Sequence, residues 1–441
     1  MITYLDDADI CRKGNTLVTE LIQKRIDEIA ASGGGKLIIP AGRYLCSSLV
    51  LPSNFELCFE PGAELIASDN IEDYYHVTTQ SMAELSYRAL IYAKDATNVT
   101  INGGLLIGQG EKWFAKEADA AGYRMPESER PRMLVMEDCD QITLRDLKIY
   151  HSPMWTIHLA CCRDINIDNV KIENDLHLAN TDSLDIDSCH HVRISNCYFS
   201  AADDGVCIKT TKKNFGRWMN TQNVTVTNCV IRSRGGAIKV GTETFGNVEN
   251  IVANNITVFD SNRAVALVSR DGGHLRHMIF SNITFESRLC AANHWGRAEP
   301  VGISLRYRNP DITPGNIENI IFQNLTGTSQ GAISLYSEVD NAISGISFNK
   351  VSLKQQLSQN PGFGTYDVRP PCNPDNPTGM GIDNSYKFNP ETGHPFGVNI
   401  YEGGISGFYI YNVRDVAITD FHLEKEDPDN TCWNKEEIVT V

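Results

Sequence analysis

Along most of the chain, apolar residues take every second position in short runs. Each run ends in a polar corner rich in Asn and Asp. The runs include TNVTINGGLLI from Thr97, DQITLRDLKIY from Asp140, RDINIDNVKIE from Arg163, HHVRISNCYFS from His190 and QNVTVTNCVIR from Gln222. ENIVANNITVF from Glu249, RHMIFSNITFE from Arg276, ENIIFQNLTGT from Glu318 and RDVAITDFHLE from Arg414 continue the series. Most successive starts lie 23 to 32 residues apart, and the larger gaps imply insertions or an undetected coil. Period-two alternation predicts strands. Recurrence at this spacing predicts a solenoid or a propeller. A propeller blade needs four strands per repeat, and the chain carries no WD or kelch pattern. The predicted fold is therefore all-β, a parallel β-helix. Its coils bring each strand back above its predecessor, and its corner Asn residues stack in a turn conformation that Asn tolerates.

A solenoid must cover its ends. Residues 16–32 (TLVTELIQKRIDEIAAS) read as an amphipathic helix that stops at Gly33–Gly35, a predicted N-terminal cap within residues 1–35. Residues 36–354 read as coils. Residues 355–412 break the pattern and are rich in Pro, Gly, Asn and Tyr, which predicts a long ordered insertion and not a second domain. Residues 413–441 read as the last coil and tail.

A second strand per coil alternates in register: IHLA (157–160), LDID (184–187), VCIK (206–209), IKVG (238–241), VALV (265–268), ISLR (303–306) and ISLY (333–336). First and third positions are apolar and must point inward. His158, Asp185, Asp187, Cys207, Lys209, Lys239, Ala266, Val268, Ser304 and Arg306 then point outward. Asp182 lies two residues before Leu184, and Asp204 two before Val206. The shared offset stacks them at about 5 Å, with Asp203 directed differently. Like charges held together raise at least one carboxyl pKa. One raised acid beside ionised partners is what glycoside hydrolysis needs: a proton for the leaving oxygen and a base for water. A calcium site or a solvated acidic turn is the plainer alternative. Lys209 and His158 nearby favour catalysis.

The formal net charge of -16 argues against nucleic acid or an anionic membrane as the main partner. It leaves room for an acidic oligosaccharide in a local cationic cleft. No stretch is long and apolar enough to span a membrane. The opening MITYLDDADICRKGN has no apolar h-region, so no signal peptide is expected. The 13 cysteines read mostly as reduced core residues, as expected in the cytoplasm. The Cys161-Cys162 pair lacks metal-ligand spacing, and no metal is expected. There is no dinucleotide fingerprint and no P-loop, so no cofactor is expected. Nothing bears on oligomeric state.

These residues resemble glycoside hydrolase family 28, the polygalacturonase-like enzymes, over nearly the whole chain. The resemblance rests on GGGKLIIPAGRYL and SNFELCFEPGAELIAS near the start, RPRML from Arg130 and SPMWTIH from Ser152. It rests also on Asn180-Thr181-Asp182, on Asp203-Asp204 and on Ile208-Lys209. It implies a right-handed parallel β-helix and hydrolysis with inversion. By resemblance Asp203 is the general acid, and Asp182 and Asp204 hold and activate the water. Asn180 and Lys209 line the cleft, and Tyr307 in LRY (305–307) contacts substrate. Two departures stand out. Gly235 occupies the place of the family's histidine, and Ala266-Leu267-Val268 replaces its Arg-Ile-Lys. Replacement cations for a uronate carboxylate are Lys239, Arg263, Arg270 and Arg306. His158 is a candidate for hydrogen bonding near the acids, Trp295 for stacking on a sugar and Glu299 for binding hydroxyls. Trp155 reads as packing.

The implied activity is cleavage of pectin-type, uronate-containing chains or oligosaccharides, acting from chain ends. A rhamnogalacturonan-type linkage or another modified glycan competes with homogalacturonan. A polysaccharide lyase, or a glycan-binding β-helix without activity, is the alternative from another class. A lyase would need a strong base and would leave an unsaturated product.

Overall fold

The computed structural model describes residues 1–6, 10–77, 80–84, 86–119, 122–213, 216–291, 294–372 and 387–441. Two large parallel sheets share the chain between them, one of 20 strands and one of 12. The chain passes from one to the other and back in each coil, which makes a right-handed parallel β-helix. The smaller sheet carries the second column read from the sequence. Ile157–Ala160, Leu184–Asp187, Val206–Thr210, Gly236–Thr244, Arg263–Ser269, Val301–Leu305, Ile333–Ser337 and Phe408–Tyr411 follow one another within it.

Register explains the core. Leu184, Val206, Ile238 and Val265 pair strand to strand, and all are buried. The inward half of each alternation thus forms a ladder, each rung adding about 1.5–3 kcal/mol of apolar burial. Phe280, Phe322 and Phe348 stack in another column, with ring centroids 5.2 and 4.7 Å apart. The corners behave as expected. Asn196, Asn228, Asn255, Asn282 and Asn324 all have φ between 54° and 58°. Asn228 donates to Asn196, Asn255 to Asn228 and Asn324 to Asn282, so the corner amides satisfy one another along the solenoid.

The cap is the helix Thr19–Ala31, whose Ile22, Ile26 and Ile29 form one buried stripe. It starts later than the sequence pattern suggests, because Lys13–Leu17 is a strand paired with Gly42–Cys46. Ile343–Gln355 is the coil missing from the sequence series. The break at 355–412 is shorter than expected, since Phe408–Tyr411 returns to the sheet beside Ile333–Ser337. Before that return, Thr365–Asp367 pairs antiparallel with Val398–Ile400. Tyr366, Tyr401, Tyr409 and Trp433 pack together and fix this excursion on the coils. Residues 373–386 of the insertion lie outside the described residues.

One register was misread. Val265 pairs with Val301 and Leu267 with Ile303, so the rung is 301–304 and not 303–306. Periodicity of two cannot distinguish frames two residues apart. Arg306 therefore lies beyond the strand Val301–Leu305 and not on the outward column.

Candidate active site

Asp182 and Asp204 stand at the mouths of adjacent strands. The ladder continues through them, with Ser183 N–H donating to Asp204 O at 2.9 Å. Their carboxylates and the Cys207 thiol approach within 4.8 Å of one another. Asp203 and Asp204 both close on Gly235. A Cβ there would lie 2.6 Å from Asp204 Oδ1 and 2.8 Å from Asp203 Oδ1. A side chain at 235 would therefore have to push both carboxylates aside.

The three acids are distinguished by their partners. Asp204 Oδ2 accepts from Lys239 Nζ at 2.6 Å, and Oδ1 accepts from Gly236 N–H at 2.9 Å, which are partners suited to a carboxylate. Burial, and then the charge of Asp204, push the Asp203 carboxyl up to about 7. Asp182 is also pushed well up, by burial first and then by Asp185, Asp203 and Asp204. Its Oδ1 is buried with no protein hydrogen-bond partner, leaving an acceptor facing its neighbours. Asp182, Asp204 and Cys207 do not make a convincing metal site. Both Asp204 oxygens are engaged, and the thiol donates to Gly241 O and is driven up by burial.

The acids face a cleft that opens to solvent. Asn180, Lys209, Lys239 and Trp295 line it, as the sequence suggested, together with Trp155. Asn180 Oδ1 accepts from Arg130 at 3.1 Å. Lys209 pairs with Asp185 at 2.8 Å and lies 3.9 Å over the Trp155 ring. Asp185, beneath it, is raised to about 6 by burial, with Lys209 offsetting part of that. Trp155 is thus both floor and packing: its ring also carries the Arg132 guanidinium at 4.6 Å.

Several expected residues lie elsewhere. His158 is fully buried, because segments 80–84 and 211–213 roof its part of the outward column. Arg132 donates to His158 Nδ1, so Nε2 carries the proton and donates to Asp187 Oδ2 at 3.2 Å. Burial lowers the imidazole to about 4, which keeps it neutral. Asp187 is buried too, but Lys213 Nζ at 2.6 Å and His158 hold it well down. Arg270 does not face the cleft. It is buried and donates to the carbonyls of Ser304, Val368, Arg369 and Pro370. Glu299 is not free for sugar hydroxyls, since it accepts from Arg263 Nε, Arg297 N–H and Asp367 N–H. Arg263 is held between Glu299 and Asp367 at 3.1 and 3.2 Å. Arg306 pairs with Glu338 at 3.5 Å, and Tyr307 N–H donates to the same carboxylate. Neither Arg306 nor Tyr307 lines the cleft.

Sequence reading missed Glu84, Thr242 and Glu243, which also line the cleft, as does Pro370 of the TYDVRP insertion (365–370). It did not single out Arg130 or Arg132, although both lie in RPRML. Glu84 sits in an irregular segment with no periodic signal.

The sequence model of the family described as Glycosyl hydrolases family 28 matches residues 38–361. The chain belongs to glycosyl hydrolases family 28. A protein from Vitis vinifera named "Probable polygalacturonase" is 28% identical over 251 residues, covering 54% of this chain and 50% of that protein. The chain spans about half the length of the curated relatives it matches. Among solved structures, the exopolygalacturonase from Thermotoga maritima superposes with a TM-score of 0.60 at 22% identity, covering 80% of this chain and 91% of that one. The polygalacturonase from Erwinia carotovora gives a TM-score of 0.64 at 19% identity, covering 81% and 95%. At these identities the superpositions show a shared fold.

Proposed function

We propose that this family 28 protein is an inverting glycoside hydrolase of pectin-type, uronate-containing poly- or oligosaccharides, acting at chain ends. One observation carries the reading: three carboxylates converge in one cleft with distinct partners. Asp203, raised to about 7, is suited to hold a proton at neutral pH and give it to the leaving glycosidic oxygen. Asp204 accepts a proton from the water that attacks the anomeric carbon from the opposite face, and Asp182 Oδ1 helps hold that water. The names of the relatives support a pectic substrate.

Glu84, Trp295 and Pro370, from segments outside the strand ladder, add to the walls of the cleft. The floor between the Trp155 and Lys239 rungs covers about 15 Å at a strand spacing of ~4.8 Å. So short a floor supports action on chain ends or short fragments. The 13 cysteines are unpaired thiols, which supports a reducing compartment such as the cytoplasm. The net charge of -16 supports a glycan and not nucleic acid or an anionic membrane as partner.

The test is to incubate the protein with homogalacturonan and rhamnogalacturonan oligomers. Products are followed by mass, ultraviolet absorbance and anomeric NMR signals. Saturated mono- or disaccharides of inverted configuration are expected, with a loss of about 10²–10⁴-fold in Asp203→Asn. An ultraviolet-absorbing product would indicate a lyase, and retained configuration would refute inversion.

A further inference from the structure

We propose that Glu84 is a further substrate-binding residue of the cleft, accepting a hydrogen bond from a hydroxyl of the sugar unit seated at the acids; this inference rests on the hydrolase reading.

Most ionisable side chains that line the cleft are satisfied within the protein. Asp204 pairs with Lys239 at 2.6 Å, Lys209 with Asp185 at 2.8 Å and Glu243 with Arg308 at 3.4 Å. The carboxyls of Asp182, Asp203 and Glu84 also line it, and they have no hydrogen-bond or ion-pair partner among the described residues. Asp182 and Asp203 already have tasks in the reaction. Glu84 has none.

The backbone that carries Glu84 is clamped. Gln80 N–H donates to Glu137 Oε1 at 2.7 Å, Met82 N–H to Lys212 O at 2.9 Å, and Arg132 Nη2 to Glu84 O at 2.8 Å. Arg132 is itself fixed, bonded to His158 Nδ1 at 3.1 Å and stacked on Trp155 of the cleft floor. These bonds hold Glu84 at a φ of 46°, a left-handed conformation that a glutamate rarely adopts. Backbone held against its preference clusters where the position of a side chain matters to function.

The carboxyl is within electrostatic reach of the chemistry without being bonded to it. Burial pushes Glu84 up, with Arg130 offsetting part, and its charge in turn helps to raise Asp203. A half-buried carboxyl without a partner does not serve the fold. A sugar hydroxyl supplies the missing partner, because a carboxyl oxygen accepts from it in either protonation state.

The experiment compares the intact wild-type protein with Glu84→Ala and Glu84→Gln on homogalacturonan and rhamnogalacturonan oligomers. For the oligomer that is cleaved, we expect Glu84→Ala to lower kcat/KM about 10-fold, the scale of one hydrogen bond, chiefly through KM. Glu84→Gln should recover most of the loss, since its amide oxygen accepts from the same hydroxyl. Both variants should melt at or above the wild-type temperature, because no protein contact of the side chain is lost. Calorimetry on an Asp203→Asn background should show the same weakening of oligomer binding with Glu84→Ala. Glu84→Ala within two-fold of wild type overturns this inference and leaves the hydrolase reading intact. So does a loss of activity matched by a lower melting temperature, which assigns Glu84 to the fold. A pH limb displaced equally in both variants, with KM unchanged, assigns it to tuning Asp203 and likewise overturns the inference. Release of no product by wild type from either oligomer overturns both readings.

Discussion

Gly235→Ala tests whether the spacing of the acids is set by this glycine. The added methyl would stand 2.6 Å from Asp204 Oδ1, 2.8 Å from Asp203 Oδ1 and 3.1 Å from the Asp203 backbone carbon. Ordinary contact begins at 3.4 Å, so the two carboxylates must retreat by about 0.8 and 0.6 Å. Asp204 cannot do this freely, since Lys239 and Gly236 N–H hold both its oxygens. A misplacement approaching 1 Å at reacting groups costs about 10²-fold in rate. Forcing one methyl into a packed site costs about 1–3 kcal/mol of stability. We expect kcat/KM to fall about 10²-fold while circular dichroism shows the same fold and thermal melting shifts by a few degrees. Gly272→Ala is the control, because its Cβ would meet nothing nearer than Thr313 O at 4.0 Å. Activity of Gly235→Ala within a few-fold of wild type would refute the argument that the acids close on this residue.

Asp203 must be protonated to act, and its carboxyl is raised to about 7, so the rate should fall as pH rises through about 7. A raised carboxyl destabilises the fold increasingly from its unfolded value of 3.8 up to about 7, so Asp203→Asn should melt higher than wild type at neutral pH while losing activity. Lys239→Met leaves Asp204 buried without its ammonium, which should cost about 3 kcal/mol in urea unfolding, and adding Asp204→Asn should recover much of it. His158 is fully buried and its folded value is lowered from 6.5 to about 4. Its contribution is present above 6.5 and is lost as pH falls toward 4, by about 3 kcal/mol, so His158→Gln should flatten the acid limb of a stability–pH curve.

The fold was legible because strand alternation and corner chemistry repeat in every coil. Each rung states the same preference, and errors in one do not propagate. The undetected coil, Ile343–Gln355, has Gly345 and Lys350 at its corners in place of the usual Asn pair, so the signal faded while the strand remained. The acidic triplet was legible for a different reason. Asp182 and Asp204 keep the same offset from paired residues, and pairing carries that offset into space. The frame of Val301–Leu305 was lost because it follows an insertion, and a shift of two residues preserves alternation.

What alternation cannot give is cover. It places His158, Asp185 and Lys209 on the outward face, where they pair within one column (His158 with Asp187, Lys209 with Asp185), yet the segments that cover them, 80–84 and 211–213, share no periodicity with the strands. The same limit decided the cations. Arg263 and Arg270 flank the altered rung as the sequence suggested, but the loops at 294–300 and 365–370 bring Glu299, Asp367 and a row of carbonyls onto them. A guanidinium beside a site is a substrate ligand only if nothing nearer satisfies it. In this chain the insertions that bring Trp295 and Pro370 to the cleft also satisfy Arg263 and Arg270 beside it, so the same segments shape the site and occupy its neighbouring cations.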